Sequence, residues 1–111
     1  MLLSCGNKAT LADIYLFPSL GATSYTIDVE GIIYSEGNCE VTEKGFCASE
    51  SSEPTLENCF VSVISYDNNN IGTFAATISG LQPNTSYYIK AYAVNEAGIV
   101  YSNFINTKTK E

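Results

Sequence analysis

Histidine and arginine are missing from this 111-residue chain. Without His, the usual Ser and Cys triads have no general base. Zinc is disfavoured too, because there is no C-x-x-C spacing and the neighbouring acids are hard carboxylates. The five basic residues are all Lys, set against twelve acids for a net charge of −7. Lacking Arg, the chain cannot grip phosphate or carboxylate in bidentate fashion. Five scattered lysines cannot build the basic patch that nucleic acid or an anionic membrane surface requires. No apolar run reaches the roughly 20 residues of a membrane-spanning helix. There is no Gly-rich phosphate loop, internal repeat, low-complexity segment or helical periodicity. The acid pairs Asp28/Glu30 and Glu40/Glu43 read as a solvated acidic face rather than as acid–base partners. Asp67 to Asn70 carries one charge among its oxygen donors and reads as a turn rather than a calcium site. These absences predict a non-enzymatic domain with no catalytic residue, cofactor or metal.

What is present is β-pattern. Ala12 to Pro18 reads as a first strand, with Pro18 suited to an edge, and Ser19 to Ala22 as a turn. Tyr25, Ile27 and Val29 alternate with Thr26, Asp28 and Glu30, which predicts a half-buried antiparallel strand from Ser24 to Tyr34. Gly31 within it suggests a bulge or a close backbone approach. Further strands are predicted over Val41–Ser49, Phe60–Tyr66 and Phe74–Ile78, then Thr85–Val94 and Ile99–Thr107 around a tight turn at Glu96-Ala97-Gly98. That makes seven strands with turn signals every 8 to 12 residues or so, the rhythm of a sandwich. The stretch Leu81 to Gly98 organises the rest. Pro83 and Asn84 break the chain. Tyr87 then falls on the inward face with Ile89, Ala91 and Ala93, opposite Tyr88, Lys90, Tyr92 and Val94. A Tyr placed this way can bury its ring and bond its hydroxyl to backbone a few residues upstream, as in the tyrosine corner of Greek-key sandwiches.

The pattern Leu81-x-Pro83-x-Thr85-x-Tyr87, followed by Ala91-Tyr92-Ala93-x-Asn95-x-x-Gly98, resembles the corner and following strand of fibronectin type III domains. It is similar in particular to the type III-like modules on surface proteins of Bacteroidetes-type bacteria. Gly45-Phe46-Cys47-Ala48-Ser49 resembles another strand of that family, with Ala48 where an aromatic is usual, so that Phe46 or Phe60 is expected to fill the gap. Ser52, Pro54 and Thr55 resemble its crossing connection. The resemblance implies an all-β, seven-stranded antiparallel Greek-key sandwich of fibronectin type III-like (immunoglobulin-like) fold over residues 12–108. Residues 1–11 would be a tether and 109–111 a frayed end.

Leu2-x-Ser4-Cys5-Gly6 resembles the cleavage box of a bacterial lipoprotein signal, without the basic and most of the apolar region that normally precede it. That implies a lipid anchor on Cys5, the one expected membrane contact, and a cell-surface or outer-membrane location, or otherwise a periplasmic or secreted one. Three cysteines then remain. A Cys39–Cys59 disulfide follows if the loop carrying Pro54 returns along the third strand, leaving Cys47 as a buried thiol that packs as a small apolar residue. The rival joins Cys47 to one of the other two. Asn84-Thr85-Ser86 fits a glycosylation sequon but serves as turn chemistry in a bacterial chain.

Tyr34, Tyr88 and Tyr92 should lie on outer faces, where a Tyr row can stack on sugar rings or anchor a protein partner, although Tyr is also good strand-filling material. The expected function is a non-catalytic surface adhesion or spacer module contacting protein or glycan. Its alternatives are a glycan-binding accessory domain of a polysaccharide-uptake system and a structural subunit that assembles through edge strands.

Overall fold

The structure, a computed structural model, describes residues 10–51, 53–65 and 71–111. Cys5, most of the tether and the Asp67–Asn70 turn lie outside the described residues. Two antiparallel sheets face each other with no helix among the described residues. In the first sheet, β3 (Ile27–Ser35) is flanked on one edge by β6 (Gly72–Ile78). Its other edge is shared end to end by β1 (Asp13–Leu16) and β2 (Gly21–Ala22), which pair with residues 31–35 and 27–28 of β3. The second sheet runs β5 (Val61–Ser65), β4 (Glu43–Ser49), β7 (Ser86–Asn95), β8 (Gly98–Lys108).

This is a fibronectin type III-like sandwich. The strand count differs from seven because the first edge is broken in two. Pro18 has no N–H to give the ladder, and pairing resumes when the N–H groups of Leu20 and Gly21–Ala22 meet the β3 backbone. Residues 21–22, expected in a turn, are therefore strand. Two residues are too few to show an alternation, which is why the sequence pattern is silent there.

Period-two patterning fills the space between the sheets. Ile27, Val29 and Ile33 point in from β3, Phe74 and Ile78 from β6, Phe46 and Ala48 from β4, and Tyr87, Ile89, Ala91 and Ala93 from β7; all are buried. Tyr25, expected inward, is instead 61% exposed, because it precedes β3 in the turn built on Thr23. Phe46 stacks on Phe74 across the sandwich at 5.0 Å. Phe60 sits 6.0 Å from the Tyr87 ring but is half exposed, so Phe46 is the one of the two buried between the sheets. Gly31 is a close approach: a Cβ there would lie 3.1 Å from the Tyr15 carbonyl and 3.3 Å from the Phe74 ring.

Tyr87 is fully buried, and its Oη accepts a 2.8 Å hydrogen bond from the Gln82 N–H. Asn84 supplies the positive φ of 55° that turns the chain there; Asn tolerates that conformation better than most residues. Residues 109–111, expected to fray, are instead tied down: the buried Thr109 donates 2.6 Å to the Gln82 carbonyl and accepts from the Thr85 N–H at 3.0 Å, and the Lys110 N–H bonds the Thr23 carbonyl. At the opposite pole, the buried Asn95 amide donates to the carbonyls of Thr10 and Glu36 at 2.7 and 2.9 Å and accepts from the Ala97 N–H at 2.9 Å.

Ladder pairing between β7 and β8 shifts between Lys90 and Tyr92, where Ser102 and Asn103 together face Ala91. This bulge lets Ser102 Oγ take the Ala91 N–H at 2.9 Å. It also turns the Asn103 amide sideways onto β1, where it exchanges both hydrogen bonds with the Leu16 backbone at 2.9 and 3.0 Å. One side-chain amide thus ties the edge of one sheet to the edge of the other.

Candidate binding face

The two outer faces differ. On the second sheet, residues 53–60 cross over the strands and cover them. Glu53 pairs with Lys90 at 3.1 Å, the Leu56 N–H donates to Tyr101 Oη at 3.0 Å, and Lys90 Nζ lies 5.8 Å from the Tyr101 ring centre. Under this cover Tyr92 is only 1% exposed and donates to Glu43 Oε2 at 2.7 Å. The expectation of an exposed Tyr92 is thus corrected. Alternation places Tyr92 on the outer side of its sheet but cannot reveal that another segment lies on top. Tyr88 is half-buried, edge-on to Phe104 at 5.5 Å. Tyr34 belongs to the other sheet and is 61% exposed, so the three tyrosines do not form one row.

The cysteines differ from expectation as well. Cys59 is a free thiol, as is the buried Cys47, while Cys39 is disulfide-bonded. The Cys39–Cys59 bridge is therefore not formed. The crossing segment does not return along the third strand to Cys39; it brings Cys59 to the C-terminal end of β4, with the Phe60 N–H bonded to the Ala48 carbonyl at 2.8 Å.

Burial, reinforced by the neighbouring Cys59 thiol, pushes the Cys47 thiol from 9.0 up to about 12. Burial also pushes the Tyr92 phenol upward, and its bond to Glu43 adds to the effect. Both groups are neutral when protonated, so the fold prefers the protonated forms. The stability this lends is complete below the unfolded-state values of 9.0 and 10.0 and is lost as pH rises through the folded ones. The urea midpoint is expected to fall between about pH 9 and about pH 12, and pairing Tyr92→Phe with Cys47→Ala should flatten that fall. Parallel pH profiles for the two proteins would remove the assignment.

The outer face of the first sheet is open. Alternate residues of β3 present Asp28, Glu30, Ile32 and Tyr34, a strip roughly 20 Å long at about 3.3 Å per residue. Along one side stand Tyr15, opposite Ile32, and Phe17, whose N–H bonds the Glu30 carbonyl at 3.0 Å. Along the other stand Thr73, Ala75 and Thr77, opposite Ile32, Glu30 and Asp28. Tyr15 is 40% exposed and meets Phe17 edge-on at 5.4 Å. Tyr34 lies diagonally beyond Tyr15 on the same face. Asp28 Oδ1 accepts from Thr77 Oγ1 at 2.6 Å. Beside that pair is a shallow depression of about 300 Å³ lined by Leu20, Asp28, Ala75 and Thr77. Aromatic rings, carboxylates and small hydroxyl side chains therefore share one flat surface. The period-two pattern marks Tyr15 as outward-facing. The signal that would have found the site is the pairing of Tyr15 with Ile32, which brings Tyr15 beside Tyr34; pairing is not legible in one strand's pattern.

Among the described residues there is no group of three or more His, Cys, Asp or Glu placed to hold a metal ion, and no helix long and apolar enough to cross a membrane.

No family model matches the chain, and no curated protein matches it. Solved structures do. The sensor domain of the anti-sigma factor RsgI4 in Pseudobacteroides cellulosolvens is similar in its solution structure, with a TM-score of 0.63, 22% identity, and coverage of 90% of this chain and 76% of that one. A shorter form of the same sensor domain aligns with a TM-score of 0.61 at 19% identity, over 93% of this chain and 98% of that one. A fibronectin type III domain from the human KIAA0970 protein aligns with a TM-score of 0.59 at 13% identity, over 91% of this chain and 75% of that one. Identities this low establish the shared sandwich.

Proposed function

We propose that the protein is a non-catalytic recognition module that binds an extended carbohydrate chain along the open face of its first sheet. The carrying observation is the exposed strip of Tyr15 and Tyr34 with Asp28 and Glu30 beside it. Sugar rings stack on aromatic faces through their C–H surfaces, and their hydroxyls donate to carboxylates. A strip of this length accommodates several consecutive sugar rings. The acidic surface favours a neutral glycan over an acidic one. Resemblance to a domain described as a sensor supports recognition rather than a purely spacing role. Cell-surface display or secretion fits this reading. Anchoring through a lipid on Cys5 requires that sulfur to be free of any disulfide, and an intact mass under non-reducing conditions reads which it is.

Affinity electrophoresis through gels containing soluble neutral polysaccharides tests the proposal. The native protein is expected to be retarded by at least one of them. Tyr15→Ala and Tyr34→Ala should each weaken binding by about tenfold, the equivalent of one lost aromatic contact, without changing the melting temperature. If no polysaccharide retards it, or if both variants bind as the parent does, carbohydrate recognition on this face is wrong. The adhesion reading would then rest on protein partners.

A further inference from the structure

The crossing segment leaves one chemical feature without a role. Cys47 lies in the middle of β4, fully buried, opposite Ser62 on one side and Lys90 on the other. Cys59 arrives from the turn at residues 55–58, where its N–H bonds the Thr55 carbonyl at 2.9 Å. The next residue locks onto the Ala48 carbonyl. That bond sets Cys59 beside the strand residue next to Cys47, near enough for its thiol to reinforce the upward push on Cys47, and both thiols lie close enough to Tyr92 to act on its phenol. They differ in access: Cys47 is sealed, whereas Cys59 is half-buried.

We propose that Cys47 and Cys59 are a thiol pair that closes to a second disulfide and pins the crossing segment to the outer face of the second sheet. The oxidant is a small-molecule disulfide. The accessible Cys59 thiolate attacks one sulfur of R–S–S–R and releases one R–S⁻, which takes up a proton. Cys47, having lost its proton to solvent, then displaces the remaining R–S⁻ from the mixed disulfide and forms the Cys47–Cys59 bond. Two protein thiols are oxidised and one small disulfide is reduced to two thiols. The second step needs the Cys47 thiolate, which burial disfavours, so closure is slow at neutral pH and faster as pH rises. The bond closes a short loop around residues 48–58, removing freedom from the unfolded chain. It also fixes Glu53 and Leu56, which hold the cover over Lys90 and Tyr101.

The full chain, incubated with oxidised glutathione, alkylated and cut with a glutamyl endopeptidase, tests this. Cleavage after Glu50 and Glu57 puts the two cysteines on separate peptides. The expected result is a linked Cys47 and Cys59 peptide pair that reductant separates. The closed protein should be about 2 Da lighter than the same chain with both thiols free and should melt roughly 10 °C higher or more. Cys59→Ser, changed at the half-buried position, should keep the fold and leave Cys47 unreactive until the protein unfolds. Three outcomes would overturn the proposal: both thiols stay alkylable, glutathione remains on Cys59 with Cys47 still free, or Cys59 links to Cys39. None of these bears on the carbohydrate face, which lies on the other sheet.

Discussion

Gly45→Ala is expected to cost about 3 kcal/mol or more, at the upper end of what overpacking does, and to leave little folded protein at 37 °C. A Cβ at position 45 would lie 2.1 Å from the Val63 carbonyl oxygen, 3.0 Å from the Tyr92 ring and 3.1 Å from Ile64 Cα. Two of those three neighbours are backbone of the paired strand, which cannot swing aside as a side chain can. The clash must therefore part β4 from β5, and it also crowds the Tyr92 ring against its bond to Glu43. The absent side chain also has a use: the Tyr92 ring occupies the space over the glycine, a substitution of ring for Cβ that sheets use at such positions. Gly31→Ala is the control, since its nearest contacts are 3.1 and 3.3 Å and a few tenths of an ångström relieve them. Urea denaturation of the two variants should place Gly45→Ala well below Gly31→Ala. Equal midpoints would mean that β4 and β5 are not held as closely as described.

Tyr87→Ala should be nearly as damaging, and Tyr87→Phe separates the two reasons. The ring is fully buried among Ile89, Phe60 and the residues facing it, and removing such an aromatic costs about 3–5 kcal/mol. The hydroxyl satisfies the Gln82 N–H, and leaving that donor unpaired costs about 1–3 kcal/mol. Tyr87→Phe should therefore lower the melting temperature by roughly 4–8 °C per kcal/mol lost, and Tyr87→Ala should consume much of a total stability of about 5–15 kcal/mol. Thermal melts read both. A silent Tyr87→Phe would show that solvent or Thr109 takes over at Gln82.

These two positions show what a single sequence makes visible. The corner was legible because its chemistry is local: Pro83, Asn84 and Tyr87 act within six residues of one another. Strand positions were legible because burial on one side imposes alternation. What stayed hidden depends on contacts between distant segments. Tyr92 and Cys47 have surface-facing parity but lie beneath residues 53–60. Asn103 looks like an ordinary polar residue on a closing strand, yet it serves β1. Cys59 could be reasoned toward Cys39 only by guessing the path of a loop, and the path differs. The binding face was half seen, through Tyr34 alone, because its other aromatics come from a neighbouring strand.

The Asn103 clasp has a mechanical consequence. β1 and β8 both run from the pole where Asn95 binds Thr10 toward the pole where Thr109 and Lys110 meet Gln82 and Thr23. Tension drawn between Thr10 and Glu111 would slide the first strand and the last past each other lengthwise. The amide bridge to Leu16 and the ladders on either side would then be stressed together, as in a lap joint, rather than peeled one at a time. A domain built in this way resists extension best along the line that joins those two ends.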